Sequence, residues 1–144
     1  MQRVLFLDFD GVLHPSGGSD ANFSRLPLLA TLLRESDLAD VQVVVSSTWR
    51  EVHSLQSLRS FFPADLQPRV IGHTPVLDEH DTQFHRSEEI EAWLAAHHEV
   101  QLWAALDDDL EGFSPRFRGR TVFTEGSEGV NGGVLLKLRA MLET

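Results

Sequence analysis

Two aspartates with one residue between them, Asp8 and Asp10, follow an apolar run and precede Gly11, and three more, Asp107, Asp108 and Asp109, follow a second run far along the chain. Ser46 and Ser47 stand directly after a third, Val41 to Val45. Ligands of open α/β sheets bind beyond the carboxyl ends of the strands, so if these runs are neighbouring parallel strands their oxygen-bearing ends face one crevice. Carboxylates gathered there repel one another and resist ionisation unless a cation lies among them. Carboxylate and carbonyl oxygens, without cysteine or histidine at ligand spacing, select a hard ion, and Mg²⁺ suits a substrate that brings phosphate oxygens of its own. Asp8 and Asp108 are the expected side-chain ligands, with Asp107 supporting them from one step further out and Asp10 offering its backbone carbonyl.

Along a strand, side chains alternate between faces, so Asp8 and Asp10 point the same way if the strand continues, while Phe9 turns into the core. Gly11 then releases the chain into a turn that a bulkier residue would hinder. One carboxylate can attack while its neighbour handles protons. Asp8 is the expected nucleophile for an aspartyl-phosphate intermediate; Asp10 is expected to protonate the leaving oxygen and then deprotonate the attacking water. Ser46 is expected to hydrogen-bond a phosphoryl oxygen, with Ser47 in its place if the strand ends one residue later; both could instead simply cap the following turn. Gly11, Ser47 and Arg50 are expected on the substrate side of the site. Trp49 and Arg50 together could offer an aromatic face and a cation to a nucleobase or second phosphate, although Trp49 also fits a helix–sheet core. The seven histidines, His14 and His53 among them, read as surface or core filler.

The elements that must position these residues alternate between strand and helix. Val4 to Leu7 and Val41 to Val45 are apolar on both sides, as strands of a parallel sheet covered on two faces should be. Between them, Leu26, Leu29, Leu32 and Leu33 recur at helical spacing, with Pro27 in the first turn. A second helix is expected from about Glu51 to Phe62, burying Val52, Leu55, Leu58 and Phe62 and ending at Pro63. A short strand over Arg69 to Ile71 follows, then a helix capped by Ser87 whose inner face holds Ile90, Trp93, Leu94 and His97. Leu102 to Leu106 and Thr121 to Phe123 complete five strands, and Val134 to Leu142 a closing helix. The sum is an α/β fold, a three-layer α/β/α sandwich on a mainly parallel sheet, in one domain over residues 1–144. The stretches between the site segments are too short for a large cap domain.

The composition narrows the classes further. A chain of 144 residues with 42% apolar content and no cysteine supports one core and excludes disulfides, thiolate-held zinc and a thiol nucleophile. It fits a reducing, cytoplasmic setting, and the N-terminal apolar run is too short for a signal peptide or a span. A net charge of −10 speaks against extensive binding along a duplex.

The string Leu5-Phe6-Leu7-Asp8-Phe9-Asp10-Gly11-Val12-Leu13 resembles the first signature of the haloacid dehalogenase (HAD) superfamily, an apolar strand ending in Asp-x-Asp-Gly. Val43-Val44-Val45-Ser46 is similar to the second signature and Ala105-Leu106-Asp107-Asp108 to the acidic fourth. The chain resembles in particular the small HAD domains of Swiss Army Knife RNA repair proteins, where Ser-Ser-x-Trp-Arg and Leu-Asp-Asp-Asp accompany the first motif. The resemblance spans nearly the whole chain. It implies a Rossmann-like sheet of strand order 5-4-1-2-3, Mg²⁺ dependence, and phosphoryl hydrolysis through the first aspartate. It also calls for a lone basic residue, for which Arg86 is the best placed, to neutralise the phosphoryl group and hold Asp8 in line; Lys137, after the fourth motif, is badly placed. His14-Pro15-Ser16-Gly17-Gly18-Ser19 matches the flap after the first motif.

An uncapped crevice of this kind admits bulky substrates, such as a nucleic-acid phosphate end or a phosphoprotein, as well as phosphorylated small molecules. The main competitor from another class is a non-enzymatic phospho-acceptor or ligand-binding domain, in the manner of response-regulator receivers. Asp10 separates the two, because an acceptor has no use for a proton donor two residues beyond its phosphorylated aspartate. A catalytically idle interaction module is a third reading, against which stands the full set of acidic positions.

Overall fold

The computed structural model describes residues 2–16 and 22–143; Gly17, Gly18 and Ser19 of the expected flap lie outside them. Five strands, β1 (Gln2–Leu7), β2 (Val41–Val45), β3 (Val70–His73), β4 (Val100–Asp107) and β5 (Thr121–Phe123), form one parallel sheet in the order β3-β2-β1-β4-β5. This is the order 5-4-1-2-3 seen from the other edge. The central position of β1 explains its composition: Val4 and Phe6 face one side, Leu5 and Leu7 the other, and all four are fully buried.

Each face carries its own helices. Leu5, Leu7, Val43, Val45 and Leu106 pack with α1 (Leu26–Leu33), α2 (Leu55–Ser60) and α5 (Gly132–Leu142), through Leu29, Leu33, Leu58 and Leu138. On the opposite face, Val4, Phe6, Val44 and Ala105 meet Ile90 and Trp93 of α3 (His85–Ala95), with Phe113 and Phe117 of the segment containing α4 (Pro115–Arg118). Phe6 contributes an edge-to-face contact to Trp93 at 5.4 Å. The result is the three-layer, Rossmann-like α/β sandwich. Among the described residues only α1 and a short 3₁₀ turn separate β1 from β2, and none forms a large cap. No helix among them is long and apolar enough to cross a membrane.

Two helix expectations need correction. The helix expected from Glu51 to Phe62 is broken into a 3₁₀ turn, Thr48–Glu51, and α2, because Ser54 accepts the Ser57 N–H at 3.1 Å and starts the helix afresh. Val52, expected on the buried face, falls in the break and is 81% exposed. Ser87 does not cap α3, which begins two residues earlier; Glu88 reaches back to accept the Gln83 and Phe84 N–H groups at 2.9 and 2.6 Å. Ser87 instead donates to the Phe84 carbonyl and accepts the Ser114 N–H, tying α3 to the start of α4.

Candidate active site

The strand registers bring the site together. Leu7 of β1 lies opposite Val45 of β2 on one side and Leu106 of β4 on the other, so the next residues, Ser46, Asp8 and Asp107, stand side by side on three adjacent strands. The ladder continues through them: Ser46 N–H donates to the Leu7 carbonyl at 2.8 Å and Asp8 N–H to the Leu106 carbonyl at 3.0 Å. Backbone geometry therefore fixes where these side chains leave the sheet.

Carboxylate oxygens of Asp8, Asp107 and Asp108 lie within 4.8 Å of one another. Asp8 and Asp107 are buried and Asp108 partly so. Asp107, expected one step further out, belongs to the cluster itself. Burial pushes the Asp8 carboxyl well above the ordinary carboxylate range, Asp107 and Asp108 push it the same way, and Arg86 opposes them. Burial likewise raises Asp107 to about 7 against the pull of Arg86 and of the Asp109 N–H, which donates to Asp107 Oδ1 at 2.9 Å. One guanidinium does not neutralise three carboxylates. A hard divalent cation fits this all-oxygen donor set and would favour the ionised carboxylates against both burial and their mutual repulsion.

Arg86, in the first turn of α3, is buried, with its Nε 3.6 Å from Asp107 Oδ2 and its Nη1 3.7 Å from Glu89 Oε1. That Nε has no hydrogen-bond partner among the described residues. The two serines after β2 differ in their partners. Ser46 Oγ is buried without a partner, whereas Ser47 Oγ accepts the Trp49 N–H at 3.3 Å and caps the 3₁₀ turn.

Arg50 stands elsewhere than expected. Its guanidinium is buried in an ion pair with Glu89 at 2.7 Å and donates to the carbonyls of Ser47, Thr74 and Pro75, so four of its five N–H donors join the strand-end loops to α3. These bonds give Arg50 a structural role that the sequence reading did not assign it. Arg50→Ala is expected to lower stability by about 3–5 kcal/mol, because Glu89 would be left charged and buried, read as a drop in the thermal unfolding midpoint.

Gly11 leaves room for a neighbouring carboxylate. Its φ is +76°, and a Cβ there would lie 2.1 Å from Asp108 Oδ2. Gly126 presses on Asp108 from the other side, a Cβ there falling 3.0 Å from the same oxygen. Asp109 turns away, its carboxylate accepting the Gly112 N–H.

Asp10 lies outside the acidic cluster, its side chain half exposed. His14 Nε2 lies 2.7 Å from its Oδ1, and Trp49 Nε1 donates to its Oδ2 at 3.1 Å. The sequence reads His14 as filler and leaves Trp49 between core packing and an aromatic face beside the serines; neither reading includes a contact with Asp10. The available signal was local: His14 follows Asp10 by four residues across a glycine turn, and Trp49 follows the strand-end serines directly.

A parallel, Rossmann-like sheet with aspartates at the ends of two adjacent central strands, a buried arginine beside them and a serine at the end of the next strand defines an α/β domain with an acidic crevice at its strand ends. The family model described as "HAD domain in Swiss Army Knife RNA repair proteins" matches residues 4–132, and the chain belongs to that family. Membership suggests phosphohydrolase-type chemistry. No curated protein and no solved structure matches the chain.

Proposed function

We propose that the chain is a magnesium-dependent phosphomonoesterase working through phospho-Asp8. The observation that carries this reading is the meeting of Asp8, Asp107 and Asp108 oxygens within 4.8 Å beside Arg86, while the Asp10 carboxylate is kept apart for protons. Asp8, Asp107, Asp108 and the Asp10 carbonyl would hold Mg²⁺, which when bound offsets the carboxylate charge and polarises the phosphoryl oxygens.

An Asp8 oxygen attacks phosphorus and the bond to the leaving oxygen breaks as Asp10 gives that oxygen a proton. Water then attacks the phosphoaspartate and passes a proton to Asp10, the Asp8–phosphorus bond breaks, and inorganic phosphate departs with both carboxyls restored. Ser46 Oγ donates to a phosphoryl oxygen. Arg86 balances the charge that spreads over the equatorial oxygens.

The open crevice suits a bulky phosphomonoester, and the family's association with RNA repair proteins favours a nucleotide or nucleic-acid phosphate end over a phosphopeptide. The net charge of −10 restricts contact to such an end rather than a long duplex. The cysteine-free sequence supports a cytoplasmic setting.

The test is steady-state release of phosphate from p-nitrophenyl phosphate with and without Mg²⁺, followed by a panel of nucleotides, 3′- and 5′-phosphorylated oligonucleotides, sugar phosphates and phosphopeptides. Multiple turnovers that need Mg²⁺ and Asp10 are expected. A single stoichiometric labelling of Asp8 without turnover would instead indicate a phospho-acceptor. Gly11→Ala should weaken Mg²⁺ binding by roughly tenfold or more in a calorimetric titration, since its methyl group displaces the Asp108 carboxylate.

A further inference from the structure

Two donors from different parts of the chain converge on the Asp10 carboxylate. Asp10 and His14 bracket a tight turn in which the Val12 and Leu13 N–H groups both donate to the Phe9 carbonyl and the Gly11 N–H to the His14 carbonyl. The turn folds the His14 ring back so that Nε2 sits 2.7 Å from Asp10 Oδ1. Trp49 arrives from the 3₁₀ turn after β2, held there by the Ser47 cap, and its Nε1 donates to Oδ2 at 3.1 Å.

The surroundings hold these donors rigidly. His14 is 2% exposed and meets Phe23 edge to face at 5.1 Å; Trp49 stacks on His53 and meets Phe9, Phe23 and Phe61 edge to face. Phe23 sits at φ +53°, a left-handed backbone rare for a bulky residue and held only where the surroundings require it. The His14 Nδ1 is buried with no partner among the described residues. A buried imidazole with one nitrogen unsatisfied is poor core filler, and its other nitrogen makes a single contact, to Asp10.

We infer that His14 and Trp49 are positioning residues that lock the Asp10 carboxyl in one orientation for proton transfer. The inference rests on the proposed phosphomonoesterase reading. Each oxygen of a carboxyl group has two lone-pair directions, so one hydrogen bond to each fixes the rotor and leaves the other directions free. Half of the Asp10 side-chain surface is open, and that is the side from which a leaving oxygen or a water can reach it. A freely rotating Asp10 would spend much of its time off line, and small losses of alignment slow proton transfer steeply.

The experiment measures the first-turnover release of phenol from aryl phosphates with Mg²⁺ for wild type, Asp8→Asn, Asp10→Asn, Trp49→Phe, His14→Phe and His14→Gln. Phenyl phosphate has a poor leaving group that needs a proton; 2,4-dinitrophenyl phosphate does not. For Trp49→Phe and His14→Phe, release from phenyl phosphate should fall roughly ten- to hundredfold with KM nearly constant, and release from the dinitrophenyl ester by less than about threefold. His14→Gln keeps an N–H donor and should recover part of the loss. Circular dichroism and thermal melting identify folded variants; if a Phe variant does not fold, the His14→Gln and Asp10→Asn leaving-group series decides alone. Equal losses on both esters, or none while Asp10→Asn remains selective for the poor leaving group, would overturn the assignment and leave the phosphomonoesterase reading intact. Wild type that releases no phenol from either ester, like Asp8→Asn, would refute both.

Discussion

Replacing Asp8 by asparagine is expected to abolish phosphate release while making the protein, without divalent cations, more resistant to heat. The two effects have one origin. Asp8 is buried against Asp107 and Asp108, so its ionised form is opposed by desolvation first and by its neighbours second. An amide of nearly the same shape carries neither penalty, and relief on the order of 1–2 kcal/mol corresponds to a rise of ~2–8 °C for a domain of this size. Catalysis, in contrast, loses the attacking oxygen, and residual turnover should fall at least ~10⁴-fold, as it does when other covalent nucleophiles are removed. Differential scanning calorimetry in EDTA beside a p-nitrophenyl phosphate assay in Mg²⁺ checks both halves. An active Asp8→Asn enzyme would remove the nucleophile from the mechanism; an inactive variant with a lower melting point would mean the carboxylate stabilises the fold.

The second large effect is a pH dependence that Mg²⁺ reverses. Asp107 titrates at about 7 in the folded chain against an ordinary 3.8, and Asp8 is shifted the same way. With folded values raised, the native state binds more protons than the unfolded chain, so stability is full below pH ~4 and is lost as pH climbs to about 7. Asp107 alone represents a shift worth on the order of 4 kcal/mol. Other carboxylates, such as Asp37 and Asp40 beside Arg139 and Arg3, are shifted down and act oppositely, but they are exposed and contribute little. Saturating Mg²⁺ should therefore raise the melting temperature several degrees more at pH 8 than at pH 5. In Asp107→Asn that difference should shrink. A magnesium effect equal at both pH values would show that these carboxyls do not hold the ion.

Most of the fold was legible because its strands are apolar on both faces and short loops leave few topologies. Val41 to Val45 and Thr121 to Phe123 coincide with the strands observed, and the central place of β1 follows from Val4 to Leu7 lacking any polar alternation. Local capping escaped the reading: Ser54 and Glu88 compete with neighbours of similar propensity, and only tertiary packing selects between them. The meeting of Asp8, Asp107, Asp108 and Ser46 at neighbouring strand ends was legible because strand ends are marked by hydrophobicity. The Arg50–Glu89 pair was not legible, because a cation beside serines looks the same in sequence whether it faces phosphate or a buried carboxylate on a distant helix. His14 and Trp49 were hidden for the converse reason, since aromatic residues near a core announce packing and not the single N–H that each aims at Asp10.

The wedge of Asp108 between Gly11 and Gly126 ties the acidic cluster to the completion of the whole sheet. Around it, the Thr124 hydroxyl donates to the Gly11 carbonyl, the Ser16 N–H to the Gly126 carbonyl and the Val130 N–H to the Val12 carbonyl, so the loop after β1 and the loop after β5 clasp each other across the chain's full length. A nascent or frayed chain lacking β5 would keep Asp8 and Asp107 but leave Asp108 without its second wall. Under the proposed reading, a cation site that needs Asp108 in place would be the last part of the crevice to form, once β5 has joined the sheet.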